Sequence, residues 1–249
     1  MTTPRPVAIV TGASSGIGRE TALLLARNGW LVALVSRRAA ELSALKQQIT
    51  SAGGVAIAIP ADVTRAKDID HIVAETAAIG GRIDALLNIA AVGGMPSVMT
   101  PDDSVQVMLD TNLLAPIRLM RAVIPILRAQ GSGAIVNVRS VKGEIAIGGI
   151  YSATKFGLRG LTNSVRRELA GTGIHVSLVE PGYISTAMTA HRRGRMPGAE
   201  IVAAAIETCL TRSRRRLIVP GYYRPLVWIA NLFPWTVDRR YNGRIGNLS

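Results

Sequence analysis

Seven short apolar runs, separated by longer amphipathic stretches, constrain the fold of this chain more than any other feature. The runs are rich in Val, Ile, Leu and Ala and cover residues 7–10, 31–35, 55–59, 84–89, 134–138, 174–179 and 217–219. Continuous apolar runs suit strands that are buried on both faces of a sheet. Their alternation with helical stretches predicts right-handed crossovers, and therefore an α/β fold with a doubly wound, seven-stranded parallel sheet and helices on both faces. Ligands of such sheets bind beyond the carboxyl ends of the strands.

The composition predicts one domain that spans residues 1–249. With 48% hydrophobic residues, the chain has enough apolar material for one large core, and no linker or repeat divides it. We expect residues 220–249, which hold two of the three Trp residues, to form an apolar and basic appendage at the open end of the sheet. The single Cys209 cannot form an internal disulfide, so we expect a reducing, cytoplasmic setting and a thiol that fills core space.

The formal charge is +13, and the excess of basic residues is concentrated in the last quarter of the chain. Residues 191–249 carry 11 basic and three acidic side chains, a net charge of +8. Three interpretations compete: a solvated face, a surface for an anionic membrane or acidic ligand, and a nucleic-acid site. We expect no specific nucleic-acid partner, because no recognisable reading motif is present. No apolar stretch approaches the roughly 18 residues that span a bilayer, so we expect a soluble chain.

The first predicted strand runs directly into a glycine-rich turn, TGASSGIG, at residues 11–18. Glycines at a strand-to-helix turn let the backbone approach a pyrophosphate, whose charge is met by exposed N–H groups and the positive end of the helix dipole. A strand before the turn, a helix after it and a second strand from Leu31 are typical of a Rossmann-type dinucleotide site. The predicted contacts are Gly12, Ser14, Ser15, Gly16, Ile17 and Gly18. The alternative is a connector that binds no ligand.

The second predicted strand ends in Ser36, Arg37 and Arg38, where sites that prefer the unphosphorylated cofactor usually carry an acidic residue. Two guanidinium groups can clamp a 2′-phosphate through charge-assisted, often bidentate hydrogen bonds. We therefore predict NADP(H) as the cofactor, with contacts at all three residues. The alternative is that the two Arg side chains only solvate the start of the next helix.

A helix that we expect to start near Tyr151 carries Lys155 four residues later, which places the phenol and the ammonium group on one face. A phenol has an ordinary pKa of about 10 and holds its proton too tightly to act as a base near neutral pH. Lowering this pKa by ~3 pH units needs about 4 kcal/mol, which Lys155 and an oxidised nicotinamide ring can supply together in a partly desolvated cleft. Tyr151 then exchanges a proton with an alcohol or carbonyl oxygen while the cofactor exchanges a hydride. Taken alone, the pair is weak evidence, because it occurs by chance in many helices.

The glycine turn, the two Arg residues and the Tyr–Lys pair occur together, and with them the sequence resembles the short-chain dehydrogenase/reductase family, in its single-domain branch, over about residues 5–220. The family's TGxxxGxG turn matches residues 11–18, and its YxxxK pair matches Tyr151 and Lys155. The resemblance implies two further catalytic residues, Asn112 and Ser140. It also implies that Tyr151 and Lys155 contact the cofactor together with Asp62, Val63, Asn88, Ala90, Pro181, Gly182, Ile184 and Thr186.

The chemistry of the two added catalytic residues gives their expected roles. Ser140 can donate a hydrogen bond to a substrate oxygen as negative charge develops there, although alone it would be interpreted as a loop-capping hydroxyl. Asn112 can hold a water molecule that links Lys155 to solvent, although alone it would be interpreted as a helix kink.

The sequence departs from the family pattern at four places. Ser140 precedes Tyr151 by eleven residues, a shorter spacing than is usual, so we expect the loop 141–150 to be tight and to narrow the substrate opening. Arg139 replaces a small polar residue and either binds an anionic substrate group or points to the opposite face of the sheet. Ala91 replaces a glycine, and Ser15 stands where some NADP(H)-specific relatives have a basic residue.

The resemblance also implies a substrate class. Residues 187–215 take the place of a substrate-covering lid, in which Ala187 and Met188 suit an apolar substrate and His191 is expected to be solvated. We expect an NADP(H)-dependent oxidoreductase that transfers a hydride between nicotinamide and an apolar ketone, aldehyde or secondary alcohol, without a metal. The alternative is a catalytically silent NADP(H)-binding regulator or membrane-associated scaffold.

Two expectations concern partners. In the family, helices that correspond to residues 101–129 and 152–170 commonly pair across a two-fold axis, so the resemblance implies a homodimer or homotetramer. The aromatic residues between Trp228 and Trp235 lie beside basic residues, and they fit either a subunit interface or peripheral contact with an anionic bilayer.

Overall fold

The computed structural model describes residues 4–94, 97–190 and 194–241, which form a sheet with helices on both faces. The strands are β1 (Val7–Thr11), β2 (Leu31–Ser36), β3 (Val55–Pro60), β4 (Ala85–Asn88), β5 (Gly133–Val138), β6 (Ile174–Pro181) and β7 (Leu217–Val219). Their order in the sheet is β3-β2-β1-β4-β5-β6-β7, and all neighbours are parallel. Each apolar run of the sequence forms one strand, which confirms the predicted fold class.

The helices form one layer on each face of the sheet. They are α1 (Gly16–Arg27), α2 (Ala39–Ser51), α3 (Ala66–Gly80), α4 (Asp102–Leu109), α5 (Ala115–Gln130), α6 (Val141–Glu144), α7 (Ile150–Glu168), α8 (Glu200–Thr211), α9 (Tyr223–Leu232) and α10 (Trp235–Tyr241). α1, α2 and α8 cover one face, and α3, α5 and α7 cover the other. In β1, Ala8 and Val10 pack in the first layer and Ile9 in the second. The central strands are therefore buried on both faces, as continuous apolar runs require.

The order of the strands changes direction at β1, which pairs with β2 on one side and with β4 on the other. Thr11, the last residue of β1, fixes this junction. Its hydroxyl donates to the carbonyl oxygen of Leu87 at 3.1 Å and accepts hydrogen bonds from the N–H groups of Ile89 and Ala90 at 2.9 and 3.1 Å. A crevice forms at such a switch point, because the connections of neighbouring strands leave in opposite directions.

The predicted lid, residues 187–215, divides into two parts. Ala187–Thr189 form a 3₁₀ turn beside the crevice, whereas residues 191–193, including His191, lie outside the described residues. α8 is no lid, because Val202, Ile206 and Cys209 on one of its faces are fully buried against α1 and the sheet. The lid is therefore shorter than predicted, while Cys209 fills core space as expected.

The predicted appendage forms α9 and α10, and one face of α9 fixes it to the sheet. Tyr223, Val227 and Asn231 recur at every fourth residue of this face. Val227 is buried, and the ring of Tyr223 packs so closely on Gly182 that an added Cβ atom there would lie 2.1 Å from it. Asn231 Nδ2 donates to Glu144 Oε1 at 3.1 Å. In the part of the chain that the structure describes, no helix combines the length and apolarity needed to cross a membrane.

Candidate active site

A cavity of about 1180 Å³ opens at the carboxyl ends of β1, β2, β4, β5 and β6. It brings together most of the residues that the sequence predicts for the site. These are Gly12, Ser14, Ser15, Gly16, Ile17, Gly18, Ser36, Arg37, Arg38, Asp62, Val63, Ala90, Ser140, Tyr151, Lys155, Pro181, Gly182, Ile184 and Thr186. Asn88 and Asn112 do not reach its walls.

The glycine turn has a conformation that only glycine permits. Gly12 has a φ of +69°, and an added Cβ atom would lie 3.0 Å from Cα of Ala90. A Cβ atom on Gly18 would lie 2.2 Å from the carbonyl oxygen of Gly12, which is too close for a non-bonded contact. Ser15 lies directly before the first turn of α1, but its side chain accepts no hydrogen bond from the first N–H groups of the helix. The turn is thus a cradle that fits a phosphate group.

Arg37 and Arg38 both line the cavity beside the glycine turn. Arg38 reaches back over the turn: its Nε and Nη2 atoms donate to Ser14 Oγ at 3.0 and 2.7 Å, and Nη2 also donates to Ser15 Oγ at 2.7 Å. Arg38 thus places its guanidinium beside Ser15, where the sequence has no basic residue.

Asp62 follows β3 and lines the cavity beside Val63. Burial raises the pKa of its carboxyl, but hydrogen bonds from the N–H and hydroxyl of Thr64 and the charges of Arg37 and Arg65 outweigh burial and lower the pKa below its ordinary value. The carboxylate is therefore ionised at neutral pH and can accept a hydrogen bond from a ligand.

Tyr151 and Lys155 lie one turn apart on α7, which begins at Ile150 as expected. Nζ of Lys155 is 5.7 Å from the centroid of the Tyr151 ring and donates to the carbonyl oxygen of Val138 at 3.3 Å. Ser140 caps the start of α6, since its hydroxyl accepts from the N–H of Lys142, and it is also hydrogen-bonded to Tyr151. The end of β5 and the start of α7 thus bring Ser140, Tyr151 and Lys155 close together.

Burial changes the proton affinities of the pair. It raises the pKa of the Tyr151 phenol, more than the hydrogen bond from Ser140 and the charge of Arg139 lower it. It also lowers the pKa of Lys155, and together with the charge of Arg139 brings it to about 7. In the protein alone the phenol is therefore a proton donor at neutral pH, which differs from the lowered pKa that the sequence suggests. That expectation included the charge of an oxidised nicotinamide ring.

The two asparagines support the site from behind its walls. Asn112 lies in a π-helical turn, Asp110–Leu114, between α4 and α5, so the expected helix irregularity is present. Its amide accepts from the N–H of Val92 and donates to the carbonyl oxygen of the same residue, both at 2.9 Å, and it also donates to Thr154 Oγ1 at 3.2 Å. Asn88 is buried and donates to Asn137 Oδ1 at 2.8 Å. Asn112 thus holds the loop after β4, and Asn88 joins the end of β4 to β5.

Arg139 does not take the first of the two roles that the sequence left open, binding of an anionic substrate group. Its side chain is fully buried, so it is not free to bind a substrate anion. It belongs instead to an ion cluster, which we define as Arg139, Glu144, Arg159, Glu180 and Arg216. No local feature of the sequence indicates the other four members, because only the packing of α6, α7, β6 and the start of β7 brings them together.

The remaining wall of the cavity is mainly apolar, and the sequence predicts only part of it. Ile145 and Ile147 contribute from the tight loop before α7, and Met188 from the short lid. α9 adds Leu226, Val227, Ile229 and Ala230, which the sequence placed in the appendage without assigning them to the site. A wall of this kind favours an apolar ligand. Among the described residues, no three His, Cys, Asp or Glu side chains are grouped closely enough to hold a metal ion.

Comparison with known proteins agrees with this geometry. The family model described as short chain dehydrogenase matches residues 6–196. A curated relative, the ketoacyl reductase HetN of Nostoc sp., is 34% identical over 251 aligned positions, which cover 94% of this chain and 87% of that protein.

Two solved structures share the fold. A metagenomic short-chain oxidoreductase in complex with NADP is 31% identical and has a TM-score of 0.75, covering 86% of this chain and 96% of that one. A variant of actinorhodin polyketide ketoreductase with NADPH is 28% identical and has a TM-score of 0.81, covering 89% of this chain and 98% of that one.

Replacing Lys155 by Met should stabilise the protein most at low pH. The folded-state pKa of about 7 lies below the ordinary value of 10.5, so the folded protein releases this proton before the unfolded chain does. The wild type therefore gains stability relative to the variant as the pH rises above 7, by up to about 1.4 kcal/mol per pH unit. Urea unfolding of both proteins between pH 6 and pH 9.5 measures the difference. A difference that does not change with pH would show that Lys155 keeps an ordinary pKa.

Proposed function

Because this chain belongs to the short-chain dehydrogenase family, we propose that it is an NADP(H)-dependent carbonyl reductase or alcohol dehydrogenase. It moves a hydride between nicotinamide and an apolar ketone, aldehyde or secondary alcohol. The observation that carries the proposal is the meeting of Ser140, Tyr151 and Lys155 in the wall of a cavity that also contains the glycine turn. An acid, a donor for an oxyanion and a phosphate cradle are the parts that carbonyl reduction needs.

The residues of the cavity fit a bound dinucleotide. The cradle at Gly12 and Gly18 leaves no room for a Cβ atom, so its backbone can approach a pyrophosphate closely. Asp62 and Arg37 line the part of the cavity that would hold the adenosine, and Tyr151 would lie beside the nicotinamide. The chemistry supplied by the bound cofactor is hydride donation or acceptance.

The chain's own residues handle the proton and the charge. Ser140 donates a hydrogen bond to the substrate oxygen, which stabilises negative charge on it. Tyr151, whose raised pKa keeps it protonated in the protein alone, gives its proton to that oxygen, which together with a hydride added to the carbonyl carbon completes the alcohol. Lys155 stabilises the phenolate that remains and returns a proton to it. In the protein alone the phenol is thus in the protonated form from which reduction starts.

The Tyr151→Phe variant should bind NADPH with little change and lose at least about 100-fold in kcat, because general acid catalysis contributes on that order. NADPH fluorescence titration and steady-state kinetics with an apolar ketone measure the two effects. Tyr222→Phe, at an exposed tyrosine outside the cavity, is the matched control and should behave like the wild type. Unchanged turnover in Tyr151→Phe would remove the phenol from the reaction. If the wild type binds NADPH but reduces no carbonyl, the chain is a cofactor-binding regulator instead.

The preference for NADP(H) is supported by Ser36, Arg37 and Arg38 at the end of β2. No acidic residue lies between β2 and α2, and Arg38 already contacts the hydroxyls of the glycine turn. A 2′-phosphate placed between the two guanidinium groups would receive charge-assisted hydrogen bonds from both. The NADP and NADPH in the two similar structures are consistent with this preference.

Replacing Arg37 and Arg38 by Ala together should lower kcat/KM for NADPH by about 100-fold, since each lost charge-assisted hydrogen bond costs about 1.5–3 kcal/mol. The value for NADH should change little, because its ribose carries no phosphate. Kinetics with both cofactors give the ratio, and Arg27→Ala, at the far end of α1, serves as the control. A wild type that prefers NADH would refute the assignment.

The apolar wall supports the proposed substrate class. Side chains from three segments, represented by Ile147, Met188 and Ile229, face the cavity, so a ketone or aldehyde with an apolar body fits better than a polyol. The similarity to a ketoacyl reductase supports a carbonyl on an acyl or polyketide-like chain. A panel of ketones, aldehydes and short polyols tests the choice, because faster turnover of polyols would overturn it.

The exposed face of the appendage is a candidate contact surface. α9 and α10 leave seven large apolar residues largely in solvent, in contrast to the anchored face of α9. They are Tyr222, Leu226, Trp228, Ile229, Leu232, Phe233 and Trp235. Leu226 and Ile229 also line the cavity, so this surface borders the opening through which a substrate enters.

Charge favours an anionic bilayer as the partner of this surface. Arg224, Arg239 and Arg240 flank the apolar residues and are exposed, with Asp238 as the acidic neighbour. Two copies that met through the same surface would bring these like charges together, which disfavours association. Trp and Phe side chains beside Arg suit the interface of an anionic membrane. We therefore propose that this surface makes peripheral contact with a membrane. A homo-oligomer would then form through a different surface, on α4, α5 and α7, where Val107 and Phe156 are exposed.

The enzyme should sediment with vesicles that contain phosphatidylglycerol and not with pure phosphatidylcholine vesicles, and added salt should release it. Trp228→Ala together with Trp235→Ala should weaken this binding by about 10-fold or more, because apolar area enters the interface. Val98→Ser with Met99→Ser changes two exposed apolar residues elsewhere and is the control. Light scattering should show the same oligomer in all three proteins. Loss of the oligomer in the Trp variant, or no binding to anionic vesicles, would refute membrane contact.

A further inference from the structure

Arg139 lies directly behind the catalytic pair and has no role in the chemistry above. Its Nε donates to the carbonyl oxygen of Lys155 at 2.7 Å, and its guanidinium stacks over the ring of Phe156, 4.9 Å from the centroid. A fully buried side chain that bonds to the backbone of Lys155 and stacks on the next residue holds this turn of α7 in place.

The same guanidinium joins the other segments of the site. Nη1 donates to Glu180 Oε1 at 2.8 Å and to Glu144 Oε2. Glu144 ends α6, the helix that Ser140 caps, and Glu180 lies in β6 directly before Pro181. Arg139 therefore ties the end of β5, α6, α7 and the end of β6 to one planar group, which can hold them in a fixed geometry.

The ion cluster carries an excess positive charge. Three arginines face two glutamates, and both glutamates are buried. The titratable or charged groups next to Lys155 are Tyr151 on its own helix and Arg139 at the end of β5, and the rest of the cluster lies one contact further away. Arg139 is the member of the cluster that contacts the Lys155 turn directly, and a positive charge so close to a buried amine disfavours the protonated form of that amine. Burial and the charge of Arg139 together explain why the pKa of Lys155 is near neutral.

We propose that Arg139 is a positioning residue of the reaction, which holds the Lys155 turn of α7 and keeps a positive charge behind the amine so that its proton is released readily to Tyr151. The inference rests on the proposed function and extends it to a residue that does not touch the substrate. A proton relay works best when its members have pKa values near the working pH, and burial together with the charge of Arg139 brings the pKa of Lys155 there.

The test measures the titration of Lys155 without turnover. The chain has only four Lys residues, so lysine labelled with carbon-13 at the ε-carbon gives four NMR signals, and Lys155→Met assigns the relevant one. The Arg139→Gln/Glu180→Gln variant leaves the net charge of the cluster unchanged but removes the positive charge nearest to Lys155. Its Lys155 midpoint should rise by about one pH unit or more, and its kcat at pH 7 should fall by about 10-fold.

Two further variants make the result specific. Arg128→Gln/Glu168→Gln removes an exposed ion pair of the same composition, with atoms 3.4 Å apart, and should change neither quantity. Arg139→Lys keeps the charge but loses the planar stack and the bond from Nε, so it should keep the Lys155 midpoint near that of the wild type and lower kcat. If the double variant does not fold, the kcat of Arg139→Lys still tests the inference.

An unchanged Lys155 midpoint in the folded Arg139→Gln/Glu180→Gln variant, or a wild-type kcat in Arg139→Lys, overturns the inference. The two proposals fail separately, because the titration uses the protein without cofactor or substrate. If the wild type reduces no carbonyl, the proposed function is wrong, while the NMR midpoint still decides whether Arg139 controls Lys155.

Discussion

A lysine buried beside a phenol is the constraint on which the rest of the site depends. Lys155 is 2% exposed, and removing an ammonium group from water is costly unless other groups compensate. The fold compensates it in part with the carbonyl oxygen of Val138, and burial lowers the pKa of the amine to about 7. An amine that is neither fully charged nor fully neutral at working pH is poorly suited to a structural role and well suited to proton transfer.

The surrounding structure serves to keep this pair in place next to a dinucleotide cradle. Thr11 joins the glycine turn to the loop after β4, and Asn112 holds the next part of that loop from a π-helical turn. Arg139 holds α7 from the other side. The helix α9 then closes the apolar end of the cavity, anchored by Tyr223 and Asn231. Each link is a hydrogen bond or close contact between segments far apart in the sequence.

Features set by local physics could be predicted from the sequence. Strands buried on both faces need continuous apolar runs, so all seven were found, with ends that shift by at most a few residues. The glycine turn and the Tyr151–Lys155 pair could be predicted because each depends on residues that are close in the sequence. The constraints are the steric limit at Gly18 and the spacing of one helical turn.

Features set by long-range packing could not be predicted. Nothing near Arg139 indicates that Glu180, 41 residues later, is its partner, or that Arg216 belongs to the same cluster. The lid was predicted too long, because the apolar face of α8 packs on α1 rather than over the cavity. The raised pKa of Tyr151 depends on burial by the fold, which the pair itself does not encode.

The most direct test of the central claim follows the hydrogen atoms of the reaction. NADPH that carries deuterium at the transferable position of nicotinamide is incubated with the enzyme and an apolar ketone, and the alcohol is analysed by mass spectrometry and NMR. The account predicts one deuterium on the carbinol carbon from the cofactor, and none on that carbon when unlabelled NADPH is used in heavy water. Deuterium on the carbon from the solvent, or none from the labelled cofactor, would contradict hydride transfer at this site.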